Sequence, residues 1–323
     1  MIRIVASPPY LTVQDAGWGG LRASGMPVCG AMDGWALRIA NLLAGNAMDD
    51  AVLEWALGPG VLRFTADCTV ALAGAEVAGT LAGAPLAGYM AFRVHAGDEL
   101  RIDRFVTGRF FYLAVSGGLR TAPVLGSRST YLPGGFGGWH GRLLRTGDEL
   151  PIGTAGPTPP SDGWMLPEGL RPSYPPSEPF RVVAGPQVGL FDAEALRAFE
   201  AAEFRVARAS DRAGYRLEGP TIHPRSPASL PSEAACPGAV QVPGSGQPIV
   251  LMPDGPTVGG YPKIAVVASA DLPRLAQRAP GEGVRFRMVT VAEAQAAYRR
   301  RAIDLHTVAE TVRRAARHPR TGG

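Results

Sequence analysis

At 323 residues, with 46% hydrophobic and 19% charged, the chain is too long for one small domain and sufficient for two, and 42 Gly and 30 Pro point to a turn-rich globular protein of many short strands. The formal charge of +4 is confined to a tail: from Arg299 onward seven arginines face only Asp304 and Glu310, so the body is near neutral and offers no basic groove for nucleic acid. No apolar run reaches the roughly 18 residues that cross a bilayer, and Pro8 and Pro9 interrupt the N-terminus where a signal peptide would be continuously apolar, so a cytoplasmic, unexported protein is expected.

In chain order, Val61 to Phe64, Thr69 to Leu72, Phe92 to Val94, Glu99 to Ile102 and Phe110 to Val115 are short strand-like runs separated by Gly-bearing turns, a spacing that suggests a barrel or sandwich. Ahead of them, Asp33 can cap a helix carrying Trp35, Ala36, Ile39, Ala40, Leu42 and Leu43, stopped by Gly45. The glycine cluster from Gly134 to Gly141 lacks the spacing and Lys-Ser/Thr ending of a phosphate loop and reads as a flexible loop or lid. From Thr154 to Pro179, Pro and Gly crowd out any hydrophobic period. This predicts a first domain at 1–153, a linker at 154–179 and a second domain at 180–323.

In the second half Asp192 can cap a helix with Leu196 and Phe199, and Thr290 with Glu293 forms a capping-box pattern. After Asp304 the residues Leu305, Val308, Ala309, Val312 and Ala316 share one face of a basic C-terminal helix. Arg3 to Pro8 echoes Arg181 to Pro186, as a duplicated β-rich unit would.

Three scattered cysteines make no disulfide framework, no Cys/His spacing matches a metal site, and no Gly-x-Ser-x-Gly elbow supports serine-hydrolase chemistry. Lysine usage is more informative. Of 32 basic residues 31 are Arg and one is Lys263, a point charge able to lose its proton when buried, placed after Gly259-Gly260-Tyr261-Pro262. Around it, Ser210-Asp211-Arg212, Tyr215, Arg216, Gln241, Asp254, Thr257 and Tyr261 are dense among Gly and Pro, as in a loop-built site. Lys263, Asp211 and Tyr215 are the candidate catalytic groups, with Asp211 or Asp254 able to orient or deprotonate a water. Arg212, Arg216, Gln241, Thr257 and Tyr261 are candidates for holding a substrate or anion. In the first half Gly126-Ser127-Arg128-Ser129-Thr130 adds Ser127 and Arg128 to that set.

Seven motifs in order, Thr12-Val13-Gln14-Asp15-x-Gly17, Gly30-Ala31-Met32-Asp33, Val52-Leu53-Glu54, Gly126 to Thr130, Gly185-Pro186-Gln187, Ser210 to Leu217 and Gly259 to Lys263, resemble the biotin-dependent carboxyltransferase / allophanate hydrolase subunit 2 family (KipA, PxpC) over nearly the whole chain. The resemblance implies two tandem cyclophilin-like β-barrel domains, mainly β with a few helices, and adds Gln187 to the binding set. It also implies ATP-driven opening of the 5-oxoproline lactam to glutamate, with a KipI/PxpB-like subunit and a LamB/YcsF (PxpA)-like subunit as partners and ATP bound by or shared with them. Alternatives are a KipA-type regulator that sequesters a KipI-like kinase inhibitor, or the carboxyltransferase part of a urea carboxylase-like enzyme. No biotin-attachment Ala-Met-Lys-Met is present, and Cys29, Ala213 and Pro256 depart from the family pattern.

Overall fold

The computed structural model describes residues 1–156, 159–225 and 230–317. They form two compact units, each built on a curled, largely antiparallel sheet, so the expected mainly β, barrel-like architecture is the one observed. Unit 1 comprises Met1–Trp18, Cys29–Pro172 and the chain from Ile303, and unit 2 comprises Gly19–Val28 and Ser173–Ala302.

In unit 1 the last two expected strands merge into one of 17 residues, Glu99–Val115. Its first part pairs with Gly60–Phe64, its last part with Val52–Ala56, and its other edge follows Cys68–Leu81, which bends the sheet around the long strand. Bulges permit that bend, one of them beside Gly74, whose φ of 101° lies in the left-handed region. Strand alternation sends Leu11, Val13, Leu53, Trp55, Phe111 and Leu113 into one hydrophobic core. The next residues along, Thr12, Glu54 and Tyr112, are directly opposite one another, and all three are inaccessible to solvent.

Unit 2 has an eight-stranded sheet running from Gly283–Val284 through Phe204–Val206, Gly214–Glu218, Ile249–Leu251, Ala239–Gln241, Lys263–Val267 and Phe180–Ala184 to Phe286–Met288. Its two edge strands are separated in the chain by Arg285 alone, so connectivity draws the edges together and the sheet curls toward closure. Phe199, Phe204 and Phe286 fill one end, the first and last stacked with centroids 4.8 Å apart.

Helix caps follow the sequence. Asp33 Oδ1 accepts from the amides of Trp35 and Ala36 at the start of Gly34–Leu43, and Asp192 caps Ala193–Ala201 through Ala195 N. Thr290 and Glu293 exchange both capping-box bonds at the head of Val291–Arg317, in which Val308, Ala309 and Val312 are buried. That helix divides between the units at Ile303, whereas the sequence placed all of it in the second domain.

Two expectations change. Gly134 to Gly141 is no lid: Thr130–Tyr131 pairs with Phe136–Gly137, and a side chain at Gly138 would run into Thr130 and one at Gly141 into the Gly135 backbone. The stretch 154–179, expected as a free linker, is tied down on both sides of Arg171, except that Pro157 and Thr158 lie outside the described residues. Gly163, Trp164 and Leu166 exchange backbone bonds with Tyr89 and Ala91. Farther on, Arg274 donates to the carbonyls of Glu178 and Pro179 while stacking over Phe180, and Arg278 donates to those of Pro175 and Pro176. A proline-rich segment has few amides for a ladder but keeps its carbonyls, and the two guanidiniums satisfy them.

Candidate functional site

Lys263 opens the strand Lys263–Val267, and the register places Gln241 opposite it across a bulge. The chain approaches this point again at Gly185, where any Cβ would collide with the Lys263 carbonyl. That passage docks Gln187: its backbone amide donates to Lys263 O at 3.3 Å and its side-chain Oε1 accepts from Lys263 N at 3.1 Å. A two-stranded ribbon, Glu233–Ala234 with Val258–Gly259, lies against these groups and places Glu233 across from Gly259.

Two donors converge on one oxygen. Lys263 Nζ lies 2.5 Å and Gln187 Nε2 2.6 Å from Glu233 Oε1. The lysine side chain is 3% exposed and the glutamate 42%, so the ion pair joins a nearly dry ammonium to a carboxylate facing solvent. The hydrogen bond from Lys263, and then that from Gln187, hold the Glu233 carboxyl below its ordinary range. Gln241 is buried beside Gly259, and its Nε2 has no hydrogen-bond partner among the described residues. Tyr261 is exposed next to the cluster, and Thr257 is half-buried with its carbonyl taking the Ala235 amide. A compact ammonium with spare protons, a primary amide and an unpartnered amide N–H can bind a carbonyl or stabilise an oxyanion.

Thus the structure brings together Lys263, Gln187 and Gln241, with Thr257 and Tyr261 on either side of the neighbouring strand Val258–Gly259. It places the other expected residues elsewhere. Asp211 is exposed, and its Oδ1 accepts from the amides of Ala213 and Gly214 in a side-chain turn that explains its place in the sequence. Arg212 is buried and bidentate to Asp254 at 2.7 and 2.9 Å, so both charges are committed to each other. On Gly214–Glu218 alternation turns Tyr215 fully inward, its hydroxyl donating to Ala276 O at 2.7 Å, and Arg216 outward to solvent.

Ser127 and Arg128 belong to unit 1. There Asp15 accepts from Ser127 Oγ at 2.6 Å, Ser129 Oγ at 2.5 Å and the Arg128 amide at 2.5 Å, an anchor that organises the loop. Nearby, Tyr112 donates to Glu54 Oε2 at 2.8 Å and receives the Asp33 amide, and burial together with Glu54 pushes its hydroxyl well above the ordinary tyrosine range. Among the described residues no group of His, Cys, Asp and Glu is arranged to hold a metal ion.

Sequence reasoning missed Glu233, which sits in an aperiodic Pro-rich stretch. No pattern in the sequence pointed to it: that Lys263 is buried, and so requires a counter-charge, appears only in the folded chain.

Residues 24–288 match the model of the carboxyltransferase domain, subdomain A and B. The chain is 40% identical over 294 residues to the 5-oxoprolinase C subunit of Escherichia coli (strain K12), covering 91% of this chain and 93% of that protein. It is 37% identical over 313 residues to the 5-oxoprolinase C subunit of Haemophilus influenzae, covering 97% and 99%. The crystal structure of K. lactis urea amidolyase superposes with a TM-score of 0.88 at 28% identity, over 95% of this chain and only 20% of that one. On the extent of the model match and of the relatives, this chain belongs to the carboxyltransferase domain, subdomain A and B, family.

Proposed function

We propose that this chain is the C subunit of an ATP-dependent 5-oxoprolinase, which opens the 5-oxo-L-proline lactam to L-glutamate together with two partner subunits. The observation that carries it is the end-to-end likeness to two proteins that are each named as the C subunit of 5-oxoprolinase. The cluster at Lys263 suits the chemistry. A lactam in a relaxed ring is a poor electrophile, and ATP overcomes this by phosphorylating the carbonyl oxygen, turning it into a leaving group. The residues present serve the hydrolysis that follows, in which water adds to the activated carbon and the negative charge developing on its oxygen lies beside a nearly dry ammonium. ATP is bound by, or shared with, the KipI/PxpB-like and LamB/YcsF (PxpA)-like partners, a reading supported by the lack of a phosphate loop in this sequence. No helix of the described residues is long and apolar enough to cross a membrane, and the complex is assigned to the cytoplasm.

A carboxyltransferase reading is favoured by the match to the carboxyltransferase domain model and by the superposition on urea amidolyase. Reconstitution separates the two. The chain with both partners should hydrolyse ATP only when 5-oxo-L-proline is supplied and release glutamate, and the chain alone should do neither. Activity of the lone chain would overturn the multi-subunit reading, and carboxylation of urea from carboxybiotin without lactam turnover would replace it.

A further inference from the structure

We propose that Gln241 and Gly259 form a subsite for the neutral carbonyl oxygen of a small amide or lactam, with the Gln241 side-chain N–H as donor. That the amide is 5-oxo-L-proline rests on the function proposed above.

Three observations support the subsite independently. Gln241 is 5% exposed, and its Nε2 has no partner among the described residues, whereas Lys263 Nζ and Gln187 Nε2 both donate to Glu233. A buried amide N–H that has given up water gains most from an acceptor brought by a ligand. Second, a Cβ on Gly259 would stand 2.7 Å from that nitrogen. Gly259 is outside the left-handed region, so its backbone does not require glycine, and a side chain there would press directly on that nitrogen. Third, Glu233 is the cross-strand partner of Gly259. An anionic oxygen arriving there would meet a carboxylate, whereas a carbonyl oxygen brings its dipole without that repulsion.

The test uses the chain assembled with its two partners, in the wild-type form and with Gln241→Met or Gly259→Ala. Each variant should raise the KM for 5-oxo-L-proline about ten-fold, the worth of one buried hydrogen bond, with kcat within about three-fold. The inhibition constant of 2-pyrrolidinone, a lactam with no carboxylate, should rise in parallel. Unchanged KM in both variants overturns the subsite. So does a raised KM with unchanged 2-pyrrolidinone inhibition, which would place the substrate carboxylate at Gln241 instead. If Gln241→Met does not fold, Gly259→Ala decides alone. Should the wild-type assembly not turn over 5-oxo-L-proline, the function proposal fails. Calorimetry of 2-pyrrolidinone and urea on the chain then judges the subsite: binding that Gly259→Ala weakens supports it, and no binding or equal binding overturns it.

Discussion

Lys263 and Glu233 meet at 2.5 Å across thirty residues of sequence, the ammonium almost sealed from water and the carboxylate nearly half open to it. The asymmetry makes the lysine the fixed member of the pair. Its stem is held in the sheet, while Glu233 sits on a ribbon of two-residue strands.

The fixed ammonium gives the first prediction. Lys263→Arg keeps the charge but enlarges and spreads it in a site with 3% exposure. Turnover of the assembled complex should fall by roughly 100-fold, near the effect of removing one oxyanion donor, with partner binding by gel filtration intact. Unchanged turnover would remove Lys263 from the chemistry.

Tyr215 should behave as a core residue. Tyr215→Phe removes only the hydroxyl that meets Ala276 O and leaves a buried carbonyl unpaired, which should cost about 1 to 3 kcal/mol in urea unfolding. Turnover measured well below the melting temperature should stay within two-fold of wild type. A large drop in kcat would return Tyr215 to the catalytic set.

Asp148 supplies a pH signature. Its hydrogen bond from Arg142 pulls the carboxyl down to about 2 from 3.8. A lowered folded-state value contributes stability that is fully present above pH 3.8 and is lost as pH falls through about 2. Asp148→Asn should therefore be less stable at pH 7, by on the order of 1 to 2 kcal/mol, with the gap closing between pH 4 and pH 2. Urea midpoints across that range check it, and a gap constant with pH would show that packing, not charge, holds the turn.

Arg278 is expected to protect the chain around Pro175 and Pro176, whose carbonyls it holds. In Arg278→Ala, limited proteolysis with proteinase K should cut between Ser173 and Glu178 several-fold faster than in wild type. Equal rates would mean that Arg274 and Phe180 suffice to hold the segment.

The legible parts of the molecule are those whose physics is local. Asp33, Asp192 and the Thr290–Glu293 pair reach amides two or three residues away, so residue type and position alone determined three helix starts. Strand runs such as Val61 to Phe64 were likewise visible, because a largely buried strand must carry apolar side chains wherever its partners lie. A single lysine among 32 basic residues marked position 263 without any structure.

Only the tertiary structure decided what that lysine touches. Gln187 lies 76 residues before it and Glu233 thirty, and they meet it through strand register and the close passage at Gly185, which no window of neighbouring residues encodes. The same holds for the residues it removed from the site. Tyr215 and Arg216 are adjacent in a polar, Gly-rich stretch, and the pleat of Gly214–Glu218 alone sends one into the core and the other into solvent. The segment at Pro175 to Pro179 looked free for a related reason: its prolines advertise the missing amide donors, and the distant arginines that satisfy its carbonyls become visible only when the chain is folded.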